Sequence, residues 1–238
     1  MAPSDLAQDP NEPFDVLDEA GAPTGEVKAR HAVHRDGDWH RALHIWIVGV
    51  DAPGEAFLLL QRRGLGKDTH PGLLDVSVGG HYRAGESFAE ALREAEEEIG
   101  IAPDTARLQS LGRRRVTNID PPRGVTDREI QDVYLLRDDR ALTDYAPNPA
   151  ELAALLRVPI VGLVAMLDGV VPAAGATSLD APTRSVSEVT IGAGDIVVTA
   201  TPYLARVAVV AGRSVRGERP FTGEMWSRTI PDGSPGDP

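Results

Sequence analysis

GGHYRAGESFAEALREAEEEIGI, residues 79–101, decides how this chain is read. A helix turns about 100° per residue. On that wheel Glu90, Glu94, Glu97 and Glu98 fall on one side of a helix predicted over Ser87–Ile99, and Phe88, Ala91, Leu92, Ala95 and Ile99 form the apolar stripe beside them. Gly79-Gly80 supplies a turn before the helix, Gly85 a second break, and Gly100 stands where a helix stop is expected. Like charges at these spacings repel by a few tenths of a kcal/mol each (about 0.2–0.5). A hard divalent cation removes that repulsion, because Mg²⁺ is held through carboxylates and substrate phosphates together. A solvated acidic face is the competing reading, since Glu is a good helix former.

Working outward, the 238 residues allow one sizeable domain with extensions. The net charge of −12 argues against general affinity for nucleic acid or anionic membranes. The absence of cysteine excludes disulfides, thiolate catalysis and cysteine zinc sites. The polar, proline-bearing start shows no leader, and no apolar run reaches the length of a membrane span. The expectation is a soluble, cytoplasmic protein.

Residues 1–13 read as a flexible tail. Phe14–Val27 reads as a hairpin turning at Asp18–Gly21, and His31–Trp39 as a polar loop. Ala42–Val50 and Glu55–Gln61 read as paired strands around Asp51–Gly54. Leu74–Val78 is a short strand leading into the acidic helix, and Leu108–Val116 and Ile130–Leu136 are further strands. Glu151–Arg157 and Val161–Leu167 suggest two helical pieces around Pro159. Val170–Pro182 reads as a linker or loop, Val186–Ala200 as strand-rich, Pro202–Ala211 as a helix and Ser227–Pro238 as a disordered tail. Strands mixed with a few helices imply an α/β sandwich. Residues 14–169 thus form the expected main domain, and residues 170–226 an extension without a motif that yields chemistry.

The opening stretch resembles the Nudix box, G-x5-E-x7-R-E-U-x-E-E-x-G-U with U a bulky aliphatic. Gly80, Glu86, Arg93, Glu94, Glu97, Glu98, Gly100 and Ile101 match it. Ala95 stands at an aliphatic position, and only six residues separate Glu86 from Arg93 where the family has seven. Phe14 to about Leu167 further resembles the Nudix branch that contains isopentenyl-diphosphate isomerase, through His40-Arg-Ala-Leu-His44-Ile-Trp46, Leu59-Leu-Gln-Arg62-Arg63, Lys67 to Gly72, Asp75 to His81 and Asp127 to Tyr134.

The resemblance implies a Nudix-type α/β/α sandwich with a mixed sheet. It implies metal ligands as well: Glu94, Glu97 and Glu98 from the box, and His81, His40, Asp127 and Glu129 from the isomerase pattern. His34 is the third histidine, with a spacing to His40 one residue shorter than the isomerase's; His31 stays open as the alternative. Arg93 is expected to orient the box carboxylates. Arg63 and Lys67 align with residues that hold diphosphate, and the fork of Arg with the point charge of Lys suits that anion. Mg²⁺ or Mn²⁺ is the expected cofactor; the imidazoles favour Mn²⁺ or Zn²⁺. His44 reads as a strand residue, and the Arg113-Arg114-Arg115 run as surface, because adjacent strand residues cannot all point one way.

The isomerases carry a catalytic cysteine two residues before the metal-binding histidine; here that position is Gly79. Isomerisation needs one group to protonate a double bond and another to remove a proton, and glycine does neither. The leading expectation is therefore a metal-dependent hydrolase, with Glu97, Glu98, Glu94 and Arg93 as catalytic residues. It would cleave a diphosphate linkage in a nucleoside-diphosphate derivative or an isoprenyl-type diphosphate. An isomerase of altered chemistry and a non-catalytic ligand-binding protein are the alternatives. The expected partner is a small-molecule diphosphate, with a homodimer left open.

Overall fold

The computed structural model describes residues 9–67, 69–197 and 201–218. The chain opens with a hairpin, β1 (Pro13–Leu17) and β2 (Pro23–Ala29), at the expected place. Asp18 closes its turn, Oδ1 accepting from the amides of Ala20 at 2.8 Å and Ala22 at 2.9 Å. Next come α1 (Arg30–Asp36), β3 (Trp39–Val50), β4 (Ala56–Arg63), β5 (Leu74–Asp75) and β6 (Val78–His81). The acidic segment forms α2 (Phe88–Ala91) and α3 (Arg93–Ile99), followed by β7 (Leu108–Asp120), β8 (Val125–Arg137) and β9 (Leu152–Pro159). The chain continues through α4 (Ile160–Leu167), β10 (Ala173–Asp180), β11 (Val186–Gly192) and α5 (Thr201–Val215). No helix among the described residues is long and apolar enough to cross a membrane.

The strands join in one mixed sheet ordered β11-β10-β9-β4-β3-β1-β2, with β6 and β8 also on β3, β7 on β8 and β5 on β4. β3 is its hub. It runs antiparallel to β4 (Ile47 opposite Leu59) and to β6 (Ala42 opposite His81), and parallel to β8 from Trp39–Arg128 to Val48–Arg137. Side chains alternate across a strand. Leu43, Ile45 and Ile47 therefore join one core, which holds Ala91, Leu92, Ala95 and Ile99 of the acidic segment. Trp46 and Val48 join another, which holds Leu163 of α4 and Tyr203, Leu204 and Val207 of α5.

Four sequence expectations change. Residues 30–36 are helix α1, where a polar loop was expected: Val33 and His34 are buried and Gly37 caps the helix in the left-handed region, φ 70°. At under two turns, the helix is too short to show a periodicity. Glu151–Arg157 was expected to be helical, and Leu152–Pro159 is instead β9, paired with β4 from Leu152–Arg63 to Pro159–Phe57. Leu-Ala-Ala-Leu-Leu has good helix propensity, and tertiary pairing overrides it. The expected linker over Val170–Pro182 contains β10, whose Thr177–Asp180 pairs with Arg157–Ala154 of β9. The predicted continuous helix Ser87–Ile99 is interrupted at Leu92, where the amide of Ala95 bonds the Leu92 carbonyl at 3.1 Å in a tighter i to i+3 turn. This break lies inside the segment that is one residue short between Glu86 and Arg93. α5 agrees with the helix expected over Pro202–Ala211. The tail expected over Ser227–Pro238 lies outside the described residues.

Candidate metal and substrate site

The site begins where α3 meets β6. A Cβ on Gly80 would lie 2.3 Å from Glu94 Cδ, so only glycine lets this carboxylate tuck against the strand. Next to it, the Gly79 amide donates to Glu98 Oε2 at 3.1 Å. Ser87 starts the segment with a reciprocal cap: its amide donates to Glu90 at 2.8 Å, and its hydroxyl accepts from the Glu90 amide at 3.4 Å. Glu90, on the acidic edge of the wheel, is therefore engaged in capping.

Arg93 gathers the remaining carboxylates. It donates to Glu86 Oε1 at 2.8 Å, to Glu94 Oε1 at 2.6 Å, to Glu97 Oε2 at 2.9 Å and to the His81 carbonyl at 3.3 Å. Glu86 thus reaches Arg93 despite the shortened spacing. Burial raises the Glu94 carboxyl to a pKa of about 7, against the opposing pull of Arg93. Burial likewise raises Glu98 to about 8, although Lys67 Nζ stands 3.7 Å away. Lys67 is held more closely by Glu151. A divalent cation is the group that would hold Glu94 and Glu98 ionised together at neutral pH.

A second donor set lies along the same cavity. Ligand atoms of His34, His40, His81 and Asp127 all fall within 4.8 Å of one another. Asp127 Oδ1 is 3.4 Å from His40 Nε2 and 3.8 Å from His34 Nε2, and all three atoms are buried without a hydrogen-bond partner. His31 is exposed and bonded to the Pro10 carbonyl at 2.8 Å, so His34 is the histidine that joins the set. His81 Nε2 meets Glu129 Oε1 at 2.9 Å, and Arg30 donates to His81 Nδ1 at 3.2 Å. His81 is thus engaged on both nitrogens, and Arg30 must move before Nδ1 can take a metal.

Burial first, then Arg30, lowers the His34 pKa to about 3, and burial also lowers those of His40 and His81. Burial beside Glu129 raises the Asp127 carboxyl well above the usual range. Burial opposes ionisation of Glu129 too, but the hydrogen bond from His81 overcomes it and holds that carboxyl well below the usual range. Two neutral imidazole nitrogens and a carboxyl oxygen with unmet partners suit a transition metal better than Mg²⁺.

The box carboxylates and, from the second set, His34, His81 and Asp127 line a cavity of about 660 Å³, with His40 buried behind them. Arg63 and Lys67 line it as well, already engaged: Arg63 donates to the Thr69 carbonyl at 3.0 Å and to Asp75 at 3.2 Å.

Other cavity residues went unread in the sequence. Arg114, expected at the surface, points inward, while Arg113 and Arg115 are exposed. Arg114 donates to Gln131 Oε1 at 2.9 Å and stacks 4.2 Å from the Tyr203 ring centre. The alternation of strand side chains was the signal that one of the three must face in. Glu151 and Tyr203 carry no local signal; long-range pairing of β9 and docking of α5 bring them to the cavity.

Similarity to known proteins agrees with this geometry. The family profile of the NUDIX domain matches residues 40–170. An uncharacterised Nudix hydrolase of Clostridium acetobutylicum is 32% identical over 156 residues, covering 65% of this chain and 73% of that protein. Nudix hydrolase 3 of Arabidopsis thaliana is 50% identical over 91 residues, which are 38% of this chain but 11% of the plant protein. An isopentenyl-diphosphate Delta-isomerase of Streptomyces griseus is 33% identical over 137 residues, 57% of this chain and 64% of the enzyme. A crystal structure from Deinococcus radiodurans superposes with a TM-score of 0.50 at 26% identity, covering 66% of this chain and 90% of that one. With the box carboxylates gathered around Arg93 beneath Gly79-Gly80 and more than half of the sequence matched by the domain profile, the chain belongs to the Nudix family.

Proposed function

We propose that this protein is a divalent-metal-dependent hydrolase that cleaves a diphosphate linkage in a small molecule. The carrying observation is the placement of Glu94, Glu97 and Glu98 in one cavity with Arg63, Lys67 and Arg114. Carboxylates to hold cations and guanidinium groups to hold phosphate oxygens are the two halves of a diphosphate site. When bound, the cations would neutralise the phosphate charge and activate water. Glu94 and Glu98 would hold them from beneath β6, with Mg²⁺ suited to these oxygens; the histidine set suits Mn²⁺.

The chain's own groups supply the rest. Arg63 and Arg114 orient the anion. Arg93 fixes the rotamers of Glu94 and Glu97. Glu97 is half exposed, with Oε2 held by Arg93 and Oε1 more loosely, 3.9 Å from Arg83; Oε1 is the oxygen that would take the proton of an attacking water. The water oxygen bonds to phosphorus, the bridging P–O bond breaks, and the leaving phosphate takes that electron pair. A cytoplasmic setting belongs to this reading.

Isomerase chemistry is disfavoured by the packing at Gly79: a Cβ there would lie 2.9 Å from Val76 Cγ1, so a side chain is not simply restored. The test is a phosphate-release screen over nucleoside-diphosphate derivatives and isoprenyl diphosphates with Mg²⁺ and Mn²⁺ in parallel, with products identified by mass spectrometry. Phosphate or monophosphate release supports hydrolysis. Dimethylallyl diphosphate formed from isopentenyl diphosphate, or tight binding without any product, overturns it.

A further inference from the structure

Lys67, Glu98 and Glu151 come from separate stretches of the chain: the loop after β4, the last turn of α3 and the residue before β9. A run of backbone hydrogen bonds ties those stretches together. The Lys67 amide donates to the Gly64 carbonyl at 3.2 Å, and the Gly64 amide to the Glu151 carbonyl at 2.9 Å. The Glu151 amide donates to the Asn148 carbonyl at 3.0 Å, and the Asn148 amide to the Glu98 carbonyl at 2.8 Å. The approach depends on a missing side chain, because a Cβ on Gly64 would lie 2.8 Å from the Glu151 carbonyl oxygen. With these backbones fixed, side-chain rotation decides which carboxylate the ammonium joins.

Lys67 is buried, and a buried ammonium needs a charged partner. Among the described residues two carboxylates are in reach. Nζ bonds Glu151 Oε2 and stands 3.7 Å from Glu98 Oε1, an ion pair beyond hydrogen-bond range. The other Glu98 oxygen, Oε2, accepts from the Gly79 amide. Oε1 is therefore the Glu98 oxygen that faces the ammonium, and a divalent cation taken up there would be repelled by Nζ at close range. All three side chains line the cavity. We propose that Glu151 is a positioning residue: it holds the Lys67 ammonium off Glu98 and so keeps that carboxylate open to a divalent cation. When Glu151 lets go, Lys67 turns to Glu98 and the cation must displace it. The inference rests on the reading of Glu98 as a metal-holding carboxylate.

Calorimetric binding of Mg²⁺ to the full chain, without substrate, tests it. Glu151→Gln should bind Mg²⁺ about tenfold more weakly than wild type. Glu151→Asp keeps the charge but withdraws it by one methylene, and should still bind at least about threefold more weakly. Wild-type affinity in Glu151→Asp would mean that Glu151 acts by charge alone, and overturns the proposal. Adding Lys67→Met to Glu151→Gln removes the competing ammonium and leaves neither charge unpaired. That double variant should return to within about threefold of wild type. No recovery would mean that Glu151 meets the cation itself or that the substitution distorts the site, and overturns the proposal as well. Should Glu151→Gln fail to fold, Glu151→Asp with and without Lys67→Met carries the same comparison. Glu98→Gln separates the two readings: if it binds Mg²⁺ as wild type does, Glu98 is no metal-holding group and the inference falls with that reading. If it binds more weakly while either Glu151 outcome fails, the inference alone falls.

Discussion

The two donor sets of the cavity differ in how they are balanced. Around the box, Arg93 holds Glu86, Glu94 and Glu97, and Lys67 stands beside Glu98. In the histidine set, His34 Nε2, His40 Nε2 and Asp127 Oδ1 have no hydrogen-bond partner among the described residues, and Arg30 donates to His81. The first is a charged cluster already partly neutralised; the second is nearly neutral, with its ligand atoms unmet. A hard ion bound by charge suits the first, and a softer ion bound by directed lone pairs suits the second.

The largest expected effect separates the sets by activity. Glu97→Gln should lower kcat by on the order of 10³-fold while the circular dichroism spectrum is unchanged. Turnover equal to wild type would end the hydrolase assignment. Next, His34→Asn should weaken retention of Mn²⁺ or Zn²⁺ by roughly 10–100-fold, measured by metal analysis after dialysis, and should leave Mg²⁺ binding at the box alone. If the retained metal does not change, the second set is structural. Gly80→Ala places a methyl against Glu94 and should weaken Mg²⁺ binding roughly tenfold, at a stability cost of about 1 kcal/mol. Calorimetry on the variant checks both, and unaltered Mg²⁺ affinity would remove Glu94 from the ligand set.

The smallest effect is in pH. Glu94 and Glu98 are raised to about 7 and about 8, above the ordinary value of 4.5. The folded state of the metal-stripped protein binds these protons more tightly than the unfolded chain does. Their contribution to stability is complete below about pH 4.5 and is lost as pH rises through 7 to 8. Tm should fall by roughly 5 °C between pH 6 and 9 in chelator, and Mg²⁺ should abolish that fall. A Tm that rises over this range would contradict the burial of the two carboxyls.

The same contrast explains what could be read from the sequence. The box is contiguous, so its spacing exposed both the acidic edge and the apolar stripe. The one-residue shortening was visible, but the tightened turn at Leu92 within the same segment was not. β9 was misread because its helix-forming residues respond to pairing with β4 and β10, a non-local effect. The histidine set came through family resemblance alone, since His34, His40, His81 and Asp127 are scattered along the chain. Tyr203 was not legible at all. Nothing near it in sequence distinguishes it from a core aromatic, and its place beside His44 exists only once α5 docks.

β3 ties these parts together with a consequence for how the sequence can drift. Its even-numbered residues His40, His44 and Trp46 meet Asp127, Tyr203 and the cavity, while the odd-numbered Leu43, Ile45 and Ile47 pack toward α3. A single inserted residue within this strand would exchange the two sets, turning histidines into the core and leucines into the cleft. Length variation must therefore be absorbed upstream, at the left-handed Gly37 that ends α1. The interval between His34 and His40 can drift, whereas that between His40 and Trp46 is locked.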